Sequence, residues 1–251
     1  MDNSAMPKNP TLQLGTTIWL AAMTGALALS LTVIPQLLEN TPQPIPTGMA
    51  IAASIAQTAI LLALAAWAGA ALSRPLGLGA PVFEAMLSGT SAWPAVKRQI
   101  APAAIGGGLV GAALLVLVRV APSELAVLAQ EIEIPVIAKL LYGGVTEEVL
   151  MRWGLMTVLI WLPWRWMQKR AGLPRRSYVI SAIVASASLF GALHLPAVVA
   201  MGASLTPATV TFIIVGNTLP GILFGLLYWR HGLEAAIVAH ALSHGVYTLA
   251  S

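Results

Sequence analysis

Residues 134–162 read IPVIAKLLYGGVTEEVLMRWGLMTVLIWL, and this stretch sets the class of the protein. It is longer than the roughly 20 apolar residues that cross a bilayer as a helix. It also holds two adjacent acids, Glu147 and Glu148, with Arg152 close behind them. One acidic residue near the bilayer centre costs about 2.5–3.5 kcal/mol on insertion scales. The stretch therefore predicts a membrane span whose charges have a functional or a structural reason to be there.

The whole chain is poor in charge. Of its 251 residues, 13 are Lys or Arg, 9 are Asp or Glu, and 58% are hydrophobic. Soluble domains carry about 25% charged residues, so a charged fraction of 9% excludes a soluble globular domain and a disordered chain. The chain has no cysteine, which excludes disulfides, a cysteine nucleophile and iron–sulfur ligation. Basic loops of a membrane protein account for the net charge of +4, and no nucleic-acid partner is expected.

Apolar stretches predict an all-α, polytopic transmembrane helix bundle with about seven spans, within a range of about six to eight. The first span is expected to be a retained anchor rather than a cleaved signal peptide. A short interfacial helix is predicted near 81–93, with Glu84 on its wet side. We expect one integral membrane domain over 1–251, with spans one to three in 1–133. The predicted spans are 15–38, 48–73, 99–119, 134–162, 178–200, 207–229 and 233–250.

Basic residues alternate between the ends of the predicted spans. They concentrate between spans two and three, between spans four and five, and after span six. By the positive-inside rule these ends face the cytoplasm, which predicts a multi-pass protein of the cell membrane with a cytoplasmic N-terminus. The residues concerned are Arg74, Lys97, Arg98, Arg165, Lys169, Arg170, Arg175, Arg176 and Arg230.

Helical spacing gives the two adjacent acids different surroundings. Glu148 and Arg152 are four residues apart, so they share a face, and this order of acid and base is favourable. Glu147 points about 100° away and has no basic residue three or four positions along the chain. A carboxyl group in such a place is a candidate general base or acid. The alternative is that the three charges only lock helices together, but ionisable residues inside membranes are functional by default.

Three of the four histidines fall inside predicted spans: His194, His240 and His244. His240 and His244 are four apart on one helix face, the spacing with which HExxH helices present two imidazoles to zinc. A single buried histidine is as readily a hydrogen-bonded core residue, but three beside intramembrane acids predict a functional site. Counting from the predicted span ends places His194 towards the outer side of the membrane and His240 towards the inner side.

Three motifs on separate predicted spans resemble the CPBP family, which comprises type II CAAX prenyl endopeptidases, Abi proteins and bacteriocin-processing intramembrane proteases. EEVLMR at 147–152 matches the family's EExxxR motif, and FGALH at 190–194 matches its FxxxH motif. HALSH at 240–244 stands where the family has HxxxN or HxxxD. The resemblance covers about 140–250 and implies a protease-like core in 134–250.

The resemblance implies hydrolysis of peptide bonds in membrane-associated or lipid-modified proteins or peptides. Glu147 would activate a water, and His194 would position or polarise it. His240 and His244 would stabilise the oxyanion or bind metal. Glu148 and Arg152 would fix the helix, and Glu148 would be near enough to contact the site. The implied catalytic set is Glu147, Glu148, Arg152, His194, His240 and His244.

His244 departs from the family pattern, where Asn or Asp is usual. The family has been described both as metalloproteases and as glutamate-dependent proteases without a metal. His194, His240 and His244 together with a water would suit an open zinc site. Zn²⁺ or another divalent metal is therefore a candidate cofactor, although the same change would also suit a site with altered or lost activity.

Two functions other than proteolysis fit parts of the pattern. Intramembrane Glu and His chains also serve ion- or proton-coupled transporters, but the two related halves of such proteins are not visible here. A non-catalytic membrane scaffold on a protease fold is the second alternative. A serine–histidine pair is compatible with the spacing but would leave Glu147 and Glu148 without a role. The substrate's identity, its prenylation and the oligomeric state stay open.

Overall fold

The computed structural model describes residues 9–39, 45–131 and 134–250, and all regular structure in these ranges is helical. This confirms the all-α fold class. Five helices of the described ranges are long and apolar enough to cross a membrane: Pro10–Glu39, Thr47–Leu72, Trp93–Arg119, Arg176–Ala200 and Pro207–His231. The two remaining predicted spans, 134–162 and 233–250, are also helical, so about seven spans is plausible.

The helices follow one another in chain order with short connections. Apart from a 3₁₀ turn at Arg74–Leu76, they are α1 (Pro10–Glu39), α2 (Thr47–Leu72), α3 (Pro81–Leu87), α4 (Trp93–Arg119), α5 (Ser123–Glu131), α6 (Val136–Ala138), π1 (Lys139–Glu147), π2 (Val149–Met156), α7 (Thr157–Trp166), α8 (Arg176–Leu193), α9 (Leu195–Ala200), α10 (Pro207–His231) and α11 (Leu233–Ala250).

The motif-bearing span is wound more widely than an α-helix where its charges lie. Glu148 sits between π1 and π2, in a continuous helical run from α6 to α7. Wide π turns occur mostly as short insertions and are frequent at functional sites. Gly143 and Gly144 let α11 approach this run closely, because a Cβ on Gly144 would lie 2.8 Å from the Cβ of Ala241. The wide turns thus coincide with a close contact between this span and α11.

The N-terminal helices hold the motif span from its other side. The hydroxyl of Thr146 donates to the carbonyl of Ala22 in α1 at 2.6 Å. The indole of Trp153 donates to the carbonyl of Ala66 in α2 at 3.0 Å. Both side chains are fully buried. Helices α1 and α2 therefore supply one packing surface of the motif span, and the proposed boundary at 133 stays an interpretation of the sequence.

The turn between α10 and α11 is recessed inside the bundle. Leu233 N–H donates to the carbonyl of Gly79 at 3.0 Å, and the amide of Gln99 donates to the carbonyl of His231 at 2.8 Å. Gln99 is the seventh residue of α4, about 9 Å from its start at 1.5 Å per residue. Gly232 has φ +98°, and a Cβ there would lie 2.6 Å from Pro81 Cδ, so glycine is needed at this turn. Helix α11 therefore starts deeper in the bundle than α4 does.

A buried carboxylate fastens this recessed turn to α3. Glu234 Oε1 accepts hydrogen bonds from the backbone N–H groups of Val82 and Phe83, each at 2.9 Å. Gln99 donates to the other carboxylate oxygen at 3.3 Å. Charge-assisted bonds to the first amides of a helix replace the partners that a helix start otherwise lacks. The first turn of α3 is thus held against the beginning of α11.

Two predicted elements have different bounds in the structure. The interfacial helix predicted near 81–93 is the shorter α3, and Trp93 already begins α4. Glu84 is half-buried and accepts a hydrogen bond from Ala80 N–H at 3.2 Å, so its carboxylate caps its own helix. Predicted span five breaks at His194, between α8 and α9, because Pro196 in the first turn of α9 has no backbone N–H to donate.

Candidate active site

Glu148 is the buried centre of a polar cluster between three helices. Its Oε1 lies 3.0 Å from Arg152 Nη1 and 2.8 Å from His240 Nδ1. The Glu148 side chain is 0% exposed and that of Arg152 is 1% exposed. The predicted pair of Glu148 and Arg152 is present at i, i+4 spacing, and the same carboxylate also reaches α11. Glu148 therefore forms a hydrogen bond with His240, which is one of the two histidines beside Glu147.

Arg152 connects the motif span to α10. Its Nη2 donates to the carbonyl of Gly221 at 3.0 Å. The guanidinium lies over the ring of Phe190 at 5.1 Å and over that of Phe224 at 5.7 Å, within the range of cation–π contacts. A Cβ on Gly221 would lie 3.1 Å from Arg152 Nη2 and 3.0 Å from Ala187 Cβ, so glycine makes room for the guanidinium. Arg152 thus links its own helix to α10.

Glu147 lies between two histidines from different helices. Its Oε1 is 4.0 Å from His194 Nε2, and its Oε2 is 3.9 Å from His240 Nε2. These distances exceed a direct hydrogen bond, and at such separations a bridging water is the natural link. The Glu147 side chain is 17% exposed, while Glu148 is fully buried. The two adjacent acids therefore have different surroundings, as the helical spacing predicts.

His194 is oriented by the end of α8. Its Nδ1 lies 2.8 Å from the carbonyl oxygen of Phe190. A carbonyl only accepts, so Nδ1–H is the donor, and in the neutral ring Nε2 carries the lone pair that faces Glu147. The ring of Phe190 meets that of His194 edge to face, with centroids 4.6 Å apart. The break at Pro196 leaves His194 at the end of α8, with Nδ1 bonded to the backbone and Nε2 facing Glu147.

His240 is packed between two rings. Phe224 lies 4.5 Å from its centroid with an interplanar angle of 21°, and His244 lies 5.0 Å away at 23°. The i, i+4 spacing therefore produces a stack of parallel rings on α11. With Nδ1 bonded to Glu148, Nε2 of His240 is the nitrogen that faces Glu147.

The histidines of spans five and seven meet at one depth. His194 and His240 approach the same carboxylate, although counting from the predicted span ends places them on opposite sides of the membrane. The recessed start of α11 explains the difference, because it moves His240 away from the membrane surface. His244 also belongs to this cluster, because its ring stacks on that of His240.

The three candidate metal ligands do not form a ligand group in the structure. Within 9–39, 45–131 and 134–250, no three or more His, Cys, Asp or Glu side chains are placed to hold a metal ion. Nδ1 of His194 and Nδ1 of His240 are engaged by Phe190 and Glu148, and Nε2 of each of these two rings faces Glu147. The zinc hypothesis for His194, His240 and His244 stays a prediction, and no mechanistic step below depends on it.

Asn217 is a polar residue of the site that the sequence reasoning missed. It lies in α10 and lines a small cavity of about 50 Å³ together with His240 and His244. Its Nδ2 donates to the carbonyl of Ile213 at 2.8 Å, which leaves a second N–H and the amide oxygen for other partners. An amide inside an apolar span breaks the pattern as Glu147 does, so the same criterion could have found it.

Comparison with known proteins gives one family match. Residues 130–246 match the family model described as type II CAAX prenyl endopeptidase Rce1-like, and this range includes every predicted catalytic residue. No curated protein and no solved structure matches the chain. Over residues 130–246, the chain is similar to the type II CAAX prenyl endopeptidase Rce1-like family, and this similarity is consistent with a CPBP family intramembrane protease.

Proposed function

We propose that the protein is an intramembrane endopeptidase that hydrolyses peptide bonds of membrane-associated or lipid-modified proteins or peptides, with Glu147 as the general base. The observation that carries the proposal is the position of Glu147 between Nε2 of His194 and Nε2 of His240, at 4.0 and 3.9 Å. A base, a polar partner for the developing negative charge and a confined water are what hydrolysis requires.

In the proposed reaction, the Glu147 carboxylate removes a proton from a water that it shares with His194. The resulting hydroxide attacks the carbonyl carbon of the scissile peptide bond, and the carbonyl oxygen becomes an oxyanion. Glu147 then returns the proton to the leaving nitrogen as the carbon–nitrogen bond breaks. The products are a carboxylic acid and an amine, so atoms and protons balance.

His240 is the proposed partner of the oxyanion. Its Nδ1–H donates to the carboxylate of Glu148, so the ring must also be protonated at Nε2, as an imidazolium, to donate a hydrogen bond to the oxyanion. Arg152 holds that carboxylate in turn. A chain of positioned groups of this kind orients a catalytic imidazole without taking part in the bond changes. His244 supports the ring of His240 by stacking.

The test is cleavage of an intramembrane reporter peptide by the purified protein in lipid vesicles. Glu147→Gln should lower the cleavage rate by at least about a hundredfold, because general bases contribute about 10²–10⁴-fold. Glu39→Gln is the matched control, since Glu39 is an exposed acid at the end of α1. Equal cleavage by the Glu147→Gln variant and the parent would sink the proposal.

The family match does not favour the transporter alternative. It remains distinguishable in the same vesicles, because a transporter would move ions or protons without cleaving the reporter. A non-catalytic scaffold would do neither. Cleavage that is lost in Glu147→Gln and kept in Glu39→Gln separates the three functions.

A further inference from the structure

The connection between α7 and α8 is the most basic stretch of the chain. Residues 165–176 read RWMQKRAGLPRR and contain five of the 13 Lys and Arg residues, and we call them the basic segment. The sequence has no Asp or Glu between Glu148 and Glu234. The basic segment therefore carries a strong positive charge that no acid of α7, of α8 or of the segment itself offsets.

The basic segment lies at the end of two membrane helices. Helix α7 ends at Trp166, and the candidate span Arg176–Ala200 begins with the last residue of the segment. The exposed cations of the segment are Lys169, Arg170, Arg175 and Arg176. Because the hydrocarbon core of a bilayer penalises charged groups, these side chains lie at the level of the lipid headgroups.

Exposed apolar side chains accompany these charges. Trp166, Met167 and Leu173 are 63%, 73% and 70% exposed. The ring of Trp166 packs edge to face on that of Trp161, with centroids 5.6 Å apart. Basic residues combined with exposed Trp and other large apolar residues are typical of surfaces in the headgroup region, where the apolar groups meet the acyl chains. The segment therefore fits a lipid surface better than a water-soluble acidic partner.

The side chain of Gln168 holds the second half of the basic segment. Its Nε2 donates to the carbonyl of Ala171 at 2.5 Å and to that of Leu173 at 2.7 Å. Its Oε1 accepts a hydrogen bond from the backbone N–H of Arg175 at 3.0 Å. One neutral side chain thus keeps the backbone between the cations in a defined conformation.

Two adjacent cationic residues of the basic segment have a left-handed backbone. Lys169 has φ +51° and Arg170 has φ +62°, and they are the two non-glycine residues with positive φ in 9–39, 45–131 and 134–250. Glycine would adopt this conformation without a steric cost. The backbone N–H of Arg170 donates to the carbonyl of Trp164 at 3.0 Å, and the indole of Trp164 donates to the carbonyl of Gly172 at 2.8 Å. Unfavourable backbone conformations persist where neighbouring contacts impose them, and they are frequent at functional sites.

A neighbouring turn brings one more cation to the basic segment. A Cβ on Gly77 would lie 3.3 Å from Leu173 Cδ2, so the 3₁₀ turn at Arg74–Leu76 is next to the segment. Arg74 is exposed in this turn. The cations around Leu173 thus come from two parts of the chain, and the ligand that they complement is an anion.

We propose that the basic segment binds the headgroup of an anionic phospholipid. Lys169 and Arg170 would contact the phosphate, and Trp166 and Met167 would lie against the acyl chains. Ammonium and guanidinium groups form strong charge-assisted hydrogen bonds with phosphate, and basic segments beside membrane helices attract anionic lipids. The inference goes beyond the proposed function and does not depend on it.

The test is lipid binding by the purified protein in a neutral detergent, measured by native mass spectrometry and by the melting temperature. Dioleoylphosphatidylglycerol should bind saturably and raise the melting temperature. Dioleoylphosphatidylcholine, which has the same acyl chains and no net charge, should bind much more weakly. Inorganic phosphate should leave the melting temperature unchanged, which distinguishes a lipid headgroup from a free anion. Equal binding of the two lipids, or an equal shift with phosphate, would overturn the proposal.

Two matched double variants locate the binding site. Lys169→Gln with Arg170→Gln should weaken the binding of dioleoylphosphatidylglycerol about thirtyfold, which corresponds to the loss of two cations at an anionic lipid surface. Lys97→Gln with Arg98→Gln removes the same charge from exposed residues of α4. This second pair should change the affinity less than about threefold, because it leaves the contacts of the basic segment intact. Equal weakening by the two pairs would show attraction to the total charge alone and would overturn the site.

Gln168→Ala tests whether the conformation of the basic segment matters. It keeps every cation and removes the three hydrogen bonds that Gln168 makes to the backbone. The affinity should fall about tenfold, because a mobile segment loses more conformational freedom on binding. An unchanged affinity would overturn the role of the fixed backbone. Lipid binding is measured without a substrate, so lipid binding by a protein that cannot cleave the reporter would refute the proposed function alone, and cleavage without lipid binding would refute this inference alone.

Discussion

One oxygen of Glu148 lies 2.8 Å from His240 Nδ1 and 3.0 Å from Arg152 Nη1. Arg152 in turn binds the carbonyl of Gly221. Helices α10 and α11 and the motif span are therefore joined by one buried carboxylate. The groups that orient the proposed catalytic ring are the same groups that hold the helices together.

Glu148→Gln should destabilise the protein and lower its activity. The substitution leaves the Arg152 guanidinium buried without its counter-charge, which costs about 3–5 kcal/mol. The double variant Glu148→Gln with Arg152→Met should recover much of that stability, because removing both charges of a buried pair is often nearly neutral. It should not recover cleavage. Thermal unfolding in vesicles and reporter cleavage measure the two effects, and equal melting temperatures for the single variant and the parent would contradict the prediction.

Gly143→Ala should reduce cleavage with little change in stability. The added Cβ would lie 2.6 Å from His244 Nε2, so the ring stack on α11 must shift. Displacement of a positioned group by about 1 Å can cost roughly a hundredfold in rate. Gly108→Ala is the matched control, because a Cβ there meets nothing within 4 Å. The idea fails if the two variants cleave the reporter equally well.

Asn217→Leu should lower kcat about tenfold and leave KM nearly unchanged, because it removes hydrogen-bonding groups from the small cavity beside His240. The cavity of about 50 Å³ has room for a water, and an aliphatic side chain at position 217 would remove one of the polar partners of that water. Thr211→Val is the control, since Thr211 is exposed on the same helix. Steady-state kinetics with the reporter decide the matter, and a change in KM alone would argue against a role in the chemical step.

Chelation should leave cleavage intact, because the proposed reaction proceeds through Glu147 and the described histidines are not arranged as a three-ligand group. The measurement is metal content and reporter cleavage after treatment with a chelator, for the parent and for His244→Asn. Loss of activity that returns with Zn²⁺ in the parent, but not in His244→Asn, would instead support the zinc hypothesis.

The residue types of the site can be predicted from the sequence more completely than the contacts between these residues. Charges and histidines inside apolar spans stand out because lipid penalises them, and this criterion finds Glu147, Glu148, Arg152 and His240. Helical spacing also separates the two acids correctly. The pairing of Glu148 with His240 is not visible in this way, because it joins residues 92 positions apart.

The depth of the site was the least predictable feature. Hydropathy assigns a span from its apolar length, so it treats Leu233 as a residue at the membrane surface. The structure instead places Leu233 against Gly79, through hydrogen bonds between distant loops. The two wide π segments likewise have no marker in residue type alone.

The recessed turn at Gly232 also separates the geometry of the site from the thickness of the bilayer. Helices that end at the headgroups respond to a thicker or thinner membrane by tilting. The start of α11 is bonded to protein groups at Gly79 and Gln99. The helices that end at the headgroups therefore tilt when the bilayer thickness changes. The distance between His240 and Glu147 is set by contacts within the protein.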